Sequence, residues 1–281
     1  VAIEQAYVRN TAVLRTVMTD ERGASVEILD FAPRHLKHSR IYRPIAFARV
    51  VRPLSGAPRI TVRLRPSADW GGRRAEQTSG SNHIRYLCTD LTLRLTTNCP
   101  VTHVQNERTF RLEGELAFFL GPDEGYDQSV MAGVSAALEQ TIQHWKLWTR
   151  TLYVPLDWQE AVIRAAITLK LCVYEETGAI VAAMTTSVPE FPESGRNWDY
   201  RFCWVRDAYY TVRALNRLGA VDILENYLGY LRNLVDDARG GHVQPVYGVG
   251  LEADIGDRAV DSEERKRGMK PESVGHQARR H

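Results

Sequence analysis

The sequence predicts an α+β protein of two domains, an N-terminal antiparallel β-sandwich followed by a helical domain. The first observation behind this is a change in the spacing of apolar residues near position 121, from a period of two to a period near 3.6. The second is an asymmetry of charge. Residues 1–120 carry a net charge of +7 and residues 121–281 a net charge of −5, which together give the +2 of the whole chain. The two halves are therefore expected to belong to different domains.

Alternation of apolar and polar residues defines the predicted strands. Ile60, Val62 and Leu64 alternate with Thr and Arg, and the segment 91–95 places leucines at every second position. Further strands are predicted at 13–18, 26–31, 45–51, 109–112 and 116–120. Many short strands without intervening helices indicate a β-sandwich over residues 1–120, with helices only after it. The Arg-rich outward positions are interpreted as a solvated sheet face.

Helical spacing begins after Gly121-Pro122. Residues 121–152 are predicted to form a linker containing a helix over 129–149, and residues 153–281 a helical domain. In that domain, Pro155, Asp157 and Glu160 indicate the start of a helix with a wide apolar arc, which is expected to be well buried. Helices are also predicted from Val205 to Leu218, closed by Gly219, and from an Asp222 N-cap through Leu234. A long loop is expected over 175–203, and no packed element after about residue 251.

Composition excludes several classes of function. With 281 residues, 44% of them hydrophobic, the chain can bury a large core, so disorder is excluded as the dominant state. A net charge of +2 argues against a nucleic-acid or membrane partner, and no apolar run approaches the roughly 18 residues that span a bilayer. The four cysteines lack metal-site spacing, which favours free thiols, a cytoplasmic location and no metal or other cofactor. Because the chain starts Val1-Ala-Ile-Glu, we expect a piece of a longer protein.

The densest group of chemically capable residues is Gly195-Arg-Asn-Trp-Asp-Tyr-Arg-Phe-Cys-Trp-Val-Arg-Asp207. Aromatic rings offer apolar platforms to the C–H faces of a sugar, and Arg and Asp offer paired donors and acceptors to adjacent hydroxyls. A long loop in a tight helical domain is often functional. The alternative is an aromatic core patch with an internal Arg–Asp salt bridge. Composition alone leaves both interpretations open.

This motif resembles glycoside hydrolase family 15, which contains glucoamylases, glucodextranases and some microbial trehalases. The preceding stretch, Thr177-Gly-Ala-Ile-Val-Ala-Ala-Met-Thr-Thr-Ser-Val-Pro-Glu190, and the helix through Ala214-Leu215 resemble the same family. Fainter similarity in the first domain extends the resemblance over roughly residues 5–250. It implies that residues 153–281 are the start of an (α/α)6 barrel, a catalytic domain with a substrate pocket at one end.

The resemblance also implies site residues. The residues that match the family's pocket for the terminal glucose are Tyr200, Trp204, Arg206 and Asp207. The neighbouring Asn197, Trp198 and Asp199 belong to the same motif, and support of the pocket is at least as good an interpretation for them as contact with the sugar. For Glu190 and Glu193 we favour a structural or solvated role over catalysis. No catalytic residue is assigned, because the resemblance implies two glutamates that lie beyond the end of this chain.

The function implied is that of an inverting, exo-acting glycoside hydrolase that releases terminal glucose from α-glucosides. A glucoamylase-like activity in a truncated form is the first interpretation. The alternatives are a trehalase of the same family and a non-catalytic carbohydrate-binding remnant. The expected partner is an oligosaccharide or disaccharide substrate, while the glycosidic linkage and the oligomeric state stay open.

Overall fold

The computed structural model describes residues 1–68, 71–125, 128–185, 188–191, 197–238, 241–253, 258–260 and 272–274. Two compact units divide the chain, residues 1–150 and residues 151–281. The division falls at the end of the helix that the sequence predicts as a linker. In the first unit, the described elements are β1 (Ala2–Tyr7), β2 (Leu14–Thr19), β3 (Ser25–Phe31), β4 (His35–Lys37), β5 (Arg40–Tyr42), β6 (Phe47–Ser55), β7 (Arg59–Thr61), β8 (Ser67–Ala68), β9 (Arg73–Arg74), β10 (Glu76–Ser79), β11 (His83–Leu87), β12 (Thr92–Thr97), α1 (Val101–Gln105), β13 (Thr109–Arg111), β14 (Leu116–Pro122) and α2 (Val130–Arg150).

A large antiparallel sheet forms the centre of the first unit and confirms the predicted antiparallel β-structure. Its strands run in the order β1-β2-β3-β6-β14-β12-β11-β10 among the described residues, and every neighbouring pair is antiparallel. Successive residues of one strand point to opposite faces and belong to different cores. Val50 of β6 packs with one cluster of buried residues, and its neighbour Val51 packs with another. The sheet is therefore buried on both faces.

Different layers cover the two faces of this sheet. Residues of α2, including Val134 and Leu138, pack on the face that contains Val50. The opposite face packs against α1 and the segment that carries β7, through Val101, Val104 and Ile60. There, β7 pairs with β13 in a separate two-stranded ribbon. A β-sandwich has a second large sheet on this face. The described residues have a two-stranded ribbon there instead, so the sandwich remains a prediction.

The first unit differs from the prediction at its short elements. The expectation of no helix before the linker is wrong, because α1 occupies Val101–Gln105. This helix starts after Pro100, and its buried residues Val101 and Val104 are one turn apart. β1 was not predicted. All of its residues are exposed, so neither face of the strand needs to be apolar, and the alternating pattern by which a half-buried strand is recognised is absent.

The second unit contains the predicted helices. Its described elements are α3 (Gln159–Leu171), β15 (Val173–Tyr174), β16 (Ala179–Ile180), β17 (Val188–Pro189), β18 (Asn197–Trp198), β19 (Cys203–Trp204), α4 (Val205–Arg217), α5 (Val221–Asp237), β20 (Val246–Tyr247), β21 (Arg258–Val260) and β22 (Glu272–Val274). The pair β21–β22 lies where the sequence predicts no packed element. Helix α4 ends before Gly219, which adopts a φ of 84° and turns the chain into α5. We find no described helix long and apolar enough to cross a membrane.

Two details of these helices correct the prediction. The predicted N-cap Asp222 lies inside α5, whose N-cap position is occupied by Ala220. Helix α3 is less buried than its apolar arc suggests, since Ala166, Ile167 and Lys170 are its buried residues. Apolar residues do recur along α3 as predicted. Among the described residues, however, α3 is covered along one side, where α4 packs against it.

The described residues of the predicted loop over 175–203 include strands of three short antiparallel ribbons. Strand β15 pairs with β16, β17 with β18, and β19 with β20. The described helices, α3 and the α4–α5 hairpin, are consistent with the start of a helical domain, and the (α/α)6 barrel remains a prediction.

Candidate functional site

The predicted site segment is 195–207, and backbone hydrogen bonds hold its part from Asp199 to Asp207 on both sides. The amide of Ala183 donates to the carbonyl of Tyr200 (2.9 Å), and the amide of Tyr200 donates to the carbonyl of Thr185 (3.1 Å). Further along, β19 pairs with β20, and the amide of Val205 donates to the carbonyl of Pro245 (3.0 Å). The segment is thus a fixed turn that leads into α4.

A buried carboxylate closes the start of this turn. Asp199 is 1% exposed, and its Oδ1 accepts hydrogen bonds from the backbone amide (2.9 Å) and Nε (3.0 Å) of Arg201. Its Oδ2 accepts from Nη2 of the same residue (2.7 Å). The hydrogen bond to Asp199 raises the pKa of the Arg201 guanidinium. The internal salt bridge that the sequence offered as an alternative therefore forms at Asp199 and Arg201.

The aromatic side chain of Trp204 is tied to the same turn. Its indole N–H donates to the backbone carbonyl of Asp199 (3.3 Å), and the ring is half-buried. Trp204 also occupies the N-cap position of α4 in an extended conformation. The hydrogen bond and the extended backbone both restrict the orientation of the indole, as a stacking platform for a ligand requires.

Arg206 and Asp207 lie in the first turn of α4, where the sequence predicts them. The Arg206 side chain is 79% exposed and that of Asp207 is 38% exposed, with Nε and Oδ2 3.6 Å apart. The Asp207 Oδ2 atom is itself buried, and it accepts no hydrogen bond from any residue that the structure describes. An acceptor without a donor is costly inside a protein. The start of α4 therefore combines a partly exposed carboxylate, one oxygen of which is buried, with an accessible guanidinium.

Three side chains beneath α4 support this region. Cys203 is fully buried, and this burial raises the pKa of its thiol. The hydroxyl of Tyr227 donates to the carbonyl of Val205 (3.3 Å), which lies in the first turn of α4. The hydroxyl of Tyr230 donates to the carbonyl of Gly248 (2.8 Å). Burial raises the pKa of both tyrosines, so they remain protonated donors at neutral pH.

The structure brings some of the predicted residues together. Asp199, Tyr200, Trp204, Arg206 and Asp207 lie on one continuous turn and helix start. Asn197 and Trp198 form strand β18, and only their backbone is described.

Other residues fall outside the predicted set. Glu190 is exposed, whereas Glu193 lies outside the described residues. Arg201, Tyr227 and Tyr230 were missed as supporting residues. Tyr227 lies among the apolar residues on one side of α5, and such a position indicates core packing and not support of a binding site. No group of three or more His, Cys, Asp or Glu that could hold a metal ion occurs within the described ranges.

Comparison with known proteins agrees with the sequence motifs. Residues 157–281 match the family model for glycosyl hydrolases family 15. The chain is 33% identical over 141 residues to a trehalase of Thermoplasma volcanium, covering 50% of this chain and 22% of that protein. It is 32% identical over 176 residues to a trehalase of Mycobacterium tuberculosis (58% and 25%) and 33% identical over 181 residues to a trehalase of Mycolicibacterium smegmatis (62% and 26%).

These matches show that the second unit is similar to glycoside hydrolases. Residues 157–281 are similar to glycosyl hydrolases of family 15, in agreement with the motifs between residues 177 and 207. The chain spans about a quarter of the length of the curated relatives it matches.

Proposed function

We propose that this protein is a trehalase, an inverting hydrolase of the α,α-linked glucose disaccharide. In this proposal the turn 199–207 binds the terminal glucose, with Arg206 and Asp207 as hydrogen-bonding groups and Tyr200 and Trp204 as aromatic boundaries. The acid and the base of the reaction are not assigned to described residues. The domain limits 1–120, 121–152 and 153–281 are kept as part of the proposal.

The observation that carries the proposal is the carboxylate of Asp207. Its side chain is 38% exposed and that of Arg206 is 79% exposed, with Nε and Oδ2 3.6 Å apart, so both groups can reach one ligand. A sugar hydroxyl both donates and accepts, so it can donate to Asp207 while its oxygen accepts from Arg206. Hydrogen bonds to charged groups contribute roughly 1.5–3 kcal/mol each, enough to fix the register of a single sugar ring.

Asp199 is a poor candidate for either sugar binding or proton transfer. Both of its oxygens already accept hydrogen bonds from Arg201, and the residue is almost completely buried. A general acid or base must reach the atom whose proton it moves. This supports a role for Asp199 in holding the turn, as the sequence also suggested.

The choice of trehalose over longer α-glucans comes from the relatives. Three proteins that are 32% to 33% identical to this chain, over aligned regions that cover 50% to 62% of it, are named trehalases. The sequence motifs alone favour a glucoamylase-like activity, because they describe the subsite for one glucose and not the subsite for the second. The relatives favour the trehalase alternative.

The proposal extends to stereochemistry and location. Inversion at one anomeric carbon of α,α-trehalose produces one β-glucose, while the leaving glucose keeps its α configuration. The two products are thus released as equal amounts of both anomers. A cytoplasmic location is proposed from the four cysteines, all of which are free thiols.

The test is hydrolysis by the protein expressed from its complete gene, with trehalose, maltose and isomaltose as parallel substrates. Proton NMR in the first minutes, before mutarotation, identifies the anomers. We expect trehalose to be cleaved with at least tenfold higher kcat/KM than maltose, and α- and β-glucose to form in equal amounts. Faster cleavage of maltose would support the glucoamylase-like alternative instead. Binding of trehalose without hydrolysis of any substrate would support the carbohydrate-binding alternative.

A further inference from the structure

The salt bridge between Asp199 and Arg201 combines a buried carboxylate with a half-exposed guanidinium. Asp199 is 1% exposed, whereas the Arg201 side chain is 41% exposed. Three described hydrogen bonds join them, two on Oδ1 and one on Oδ2. Because the guanidinium engages both carboxylate oxygens through Nε and Nη2, the pair has a fixed geometry that a point charge does not impose.

This pair is directly linked to both aromatic residues of the proposed sugar site. The indole of Trp204 donates to the backbone carbonyl of Asp199, so a shift of Asp199 shifts the acceptor that orients the ring. Tyr200 lies between the two partners, with its backbone bonded to Ala183 and Thr185. The conformation of residues 199–201 therefore sets the direction in which each ring leaves the turn.

We propose that Asp199 and Arg201 form a positioning pair that holds Trp204 and Tyr200 in their sugar-binding orientation without touching the sugar. This inference rests on the proposed function for its catalytic consequences. Its structural core, the control of the Trp204 indole by Arg201, can be measured without substrate.

Loss of the pair has a specific expected effect. In Arg201→Gln, the buried carboxylate of Asp199 keeps the backbone amide as a donor but loses the guanidinium, so the turn relaxes toward solvent. An aromatic platform contacts the glucose in the ground state and in the transition state alike. Removal of such uniform binding raises KM and leaves kcat nearly unchanged.

The experiment compares five variants of the protein expressed from its complete gene and uses a sixth to assign one resonance. The test variants are Arg201→Gln, Arg201→Lys, Asp199→Asn and the double variant Arg201→Gln/Asp199→Asn. The matched control is Arg232→Gln, which removes an exposed guanidinium from an ion pair with Asp236 on α5. Each variant is measured for kcat and KM on trehalose and for thermal stability. The Trp204 indole N–H signal is observed in substrate-free, 15N-tryptophan-labelled protein, with Trp204→Phe identifying the resonance.

We expect Arg201→Gln to raise KM at least tenfold with kcat within twofold of the parent. The Trp204 indole resonance should shift and exchange faster with solvent. Arg201→Lys should resemble Arg201→Gln, because lysine lacks the planar fork. The double variant should fall short of the summed effects of the single changes, as expected for two residues that act as a unit. Arg232→Gln should leave KM and the indole resonance unchanged.

Two outcomes would overturn the proposal. One is an unmoved Trp204 resonance in Arg201→Gln. The other is a KM that stays at the parent value while the melting temperature falls, which would mark a purely structural pair. A parent protein that does not hydrolyse trehalose would contradict the proposed function alone, because a shifted indole resonance in Arg201→Gln would still support the positioning role.

Discussion

Replacement of Gly178 by alanine is expected to destabilise the second unit strongly. Gly178 lies in the turn between β15 and β16 with a φ of 82°, and its amide donates to the carbonyl of Tyr174 (2.9 Å). A Cβ atom at this position would lie 2.5 Å from the backbone carbonyl carbon of Asn226 and would overlap its oxygen. Asn226 is part of α5, so the ribbon and the helix would have to separate.

The magnitude follows from two costs. An alanine in the left-handed region costs roughly 1–2 kcal/mol. Forcing additional volume into a packed contact costs about 1–3 kcal/mol more. The free energy of unfolding of this unit should therefore fall by about 2–5 kcal/mol in Gly178→Ala.

Gly229→Ala is the matched control, because it adds the same methyl group to α5 at a point where no described atom outside the local helix backbone lies within 4 Å. Alanine is favoured over glycine in a helix by roughly 1 kcal/mol, so this variant should be slightly more stable than the parent. Urea unfolding followed by far-ultraviolet circular dichroism measures both. Gly178→Ala with the midpoint of the parent would refute the close approach of the β15–β16 turn to α5.

Three further predictions concern buried polar groups. Tyr230→Phe removes the donor to the Gly248 carbonyl and should lower stability by about 1–3 kcal/mol in urea unfolding, whereas unchanged stability would contradict that hydrogen bond. Cys203 is fully buried with a raised thiol pKa, so iodoacetamide should modify it far more slowly than the half-buried Cys88, as peptide mass spectrometry of the native protein will show. Burial lowers the pKa of His35 below its ordinary value of about 6.5, so the unfolded state takes up the proton first and stability should fall as the pH drops below about 6.5. Urea unfolding of the parent and of His35→Gln between pH 8 and 5 measures this loss, and equal slopes for the two would contradict it.

The long elements could be predicted from the sequence because their periodicity is strong. Helix α2 starts and ends within one residue of its predicted bounds, since apolar residues recur over twenty positions. Helix α1 could not be predicted, because five residues with two valines are too short to distinguish a period of 3.6 from one of two. The burial of α3 was overestimated for another reason: spacing shows which side of a helix is apolar but not what packs against it.

The location of the candidate site residues in the fold could be predicted from the sequence, but their contacts could not. The positions of Arg206 and Asp207 at a helix start follow from the helical pattern that begins at Val205. The pairing of Asp199 with Arg201 could not be assigned, because the motif contains two aspartates and several arginines and spacing does not choose among them. The support from Tyr227 depends on how α5 packs beneath α4, which is a tertiary contact.

The central claim is that the carboxylate of Asp207 binds the terminal glucose of trehalose. Its most direct test is kcat/KM for trehalose hydrolysis by Asp207→Asn, made in the protein expressed from its complete gene. Asp236→Asn, an exposed carboxylate on α5, is the matched control.

We expect Asp207→Asn to lower kcat/KM at least about 100-fold, which corresponds to roughly 2.7 kcal/mol of lost transition-state stabilisation, with a melting temperature close to that of the parent. The control should change kcat/KM less than about threefold, a loss of under about 0.7 kcal/mol. A value of kcat/KM near that of the parent in Asp207→Asn would contradict the account and would leave the start of α4 as a packing feature.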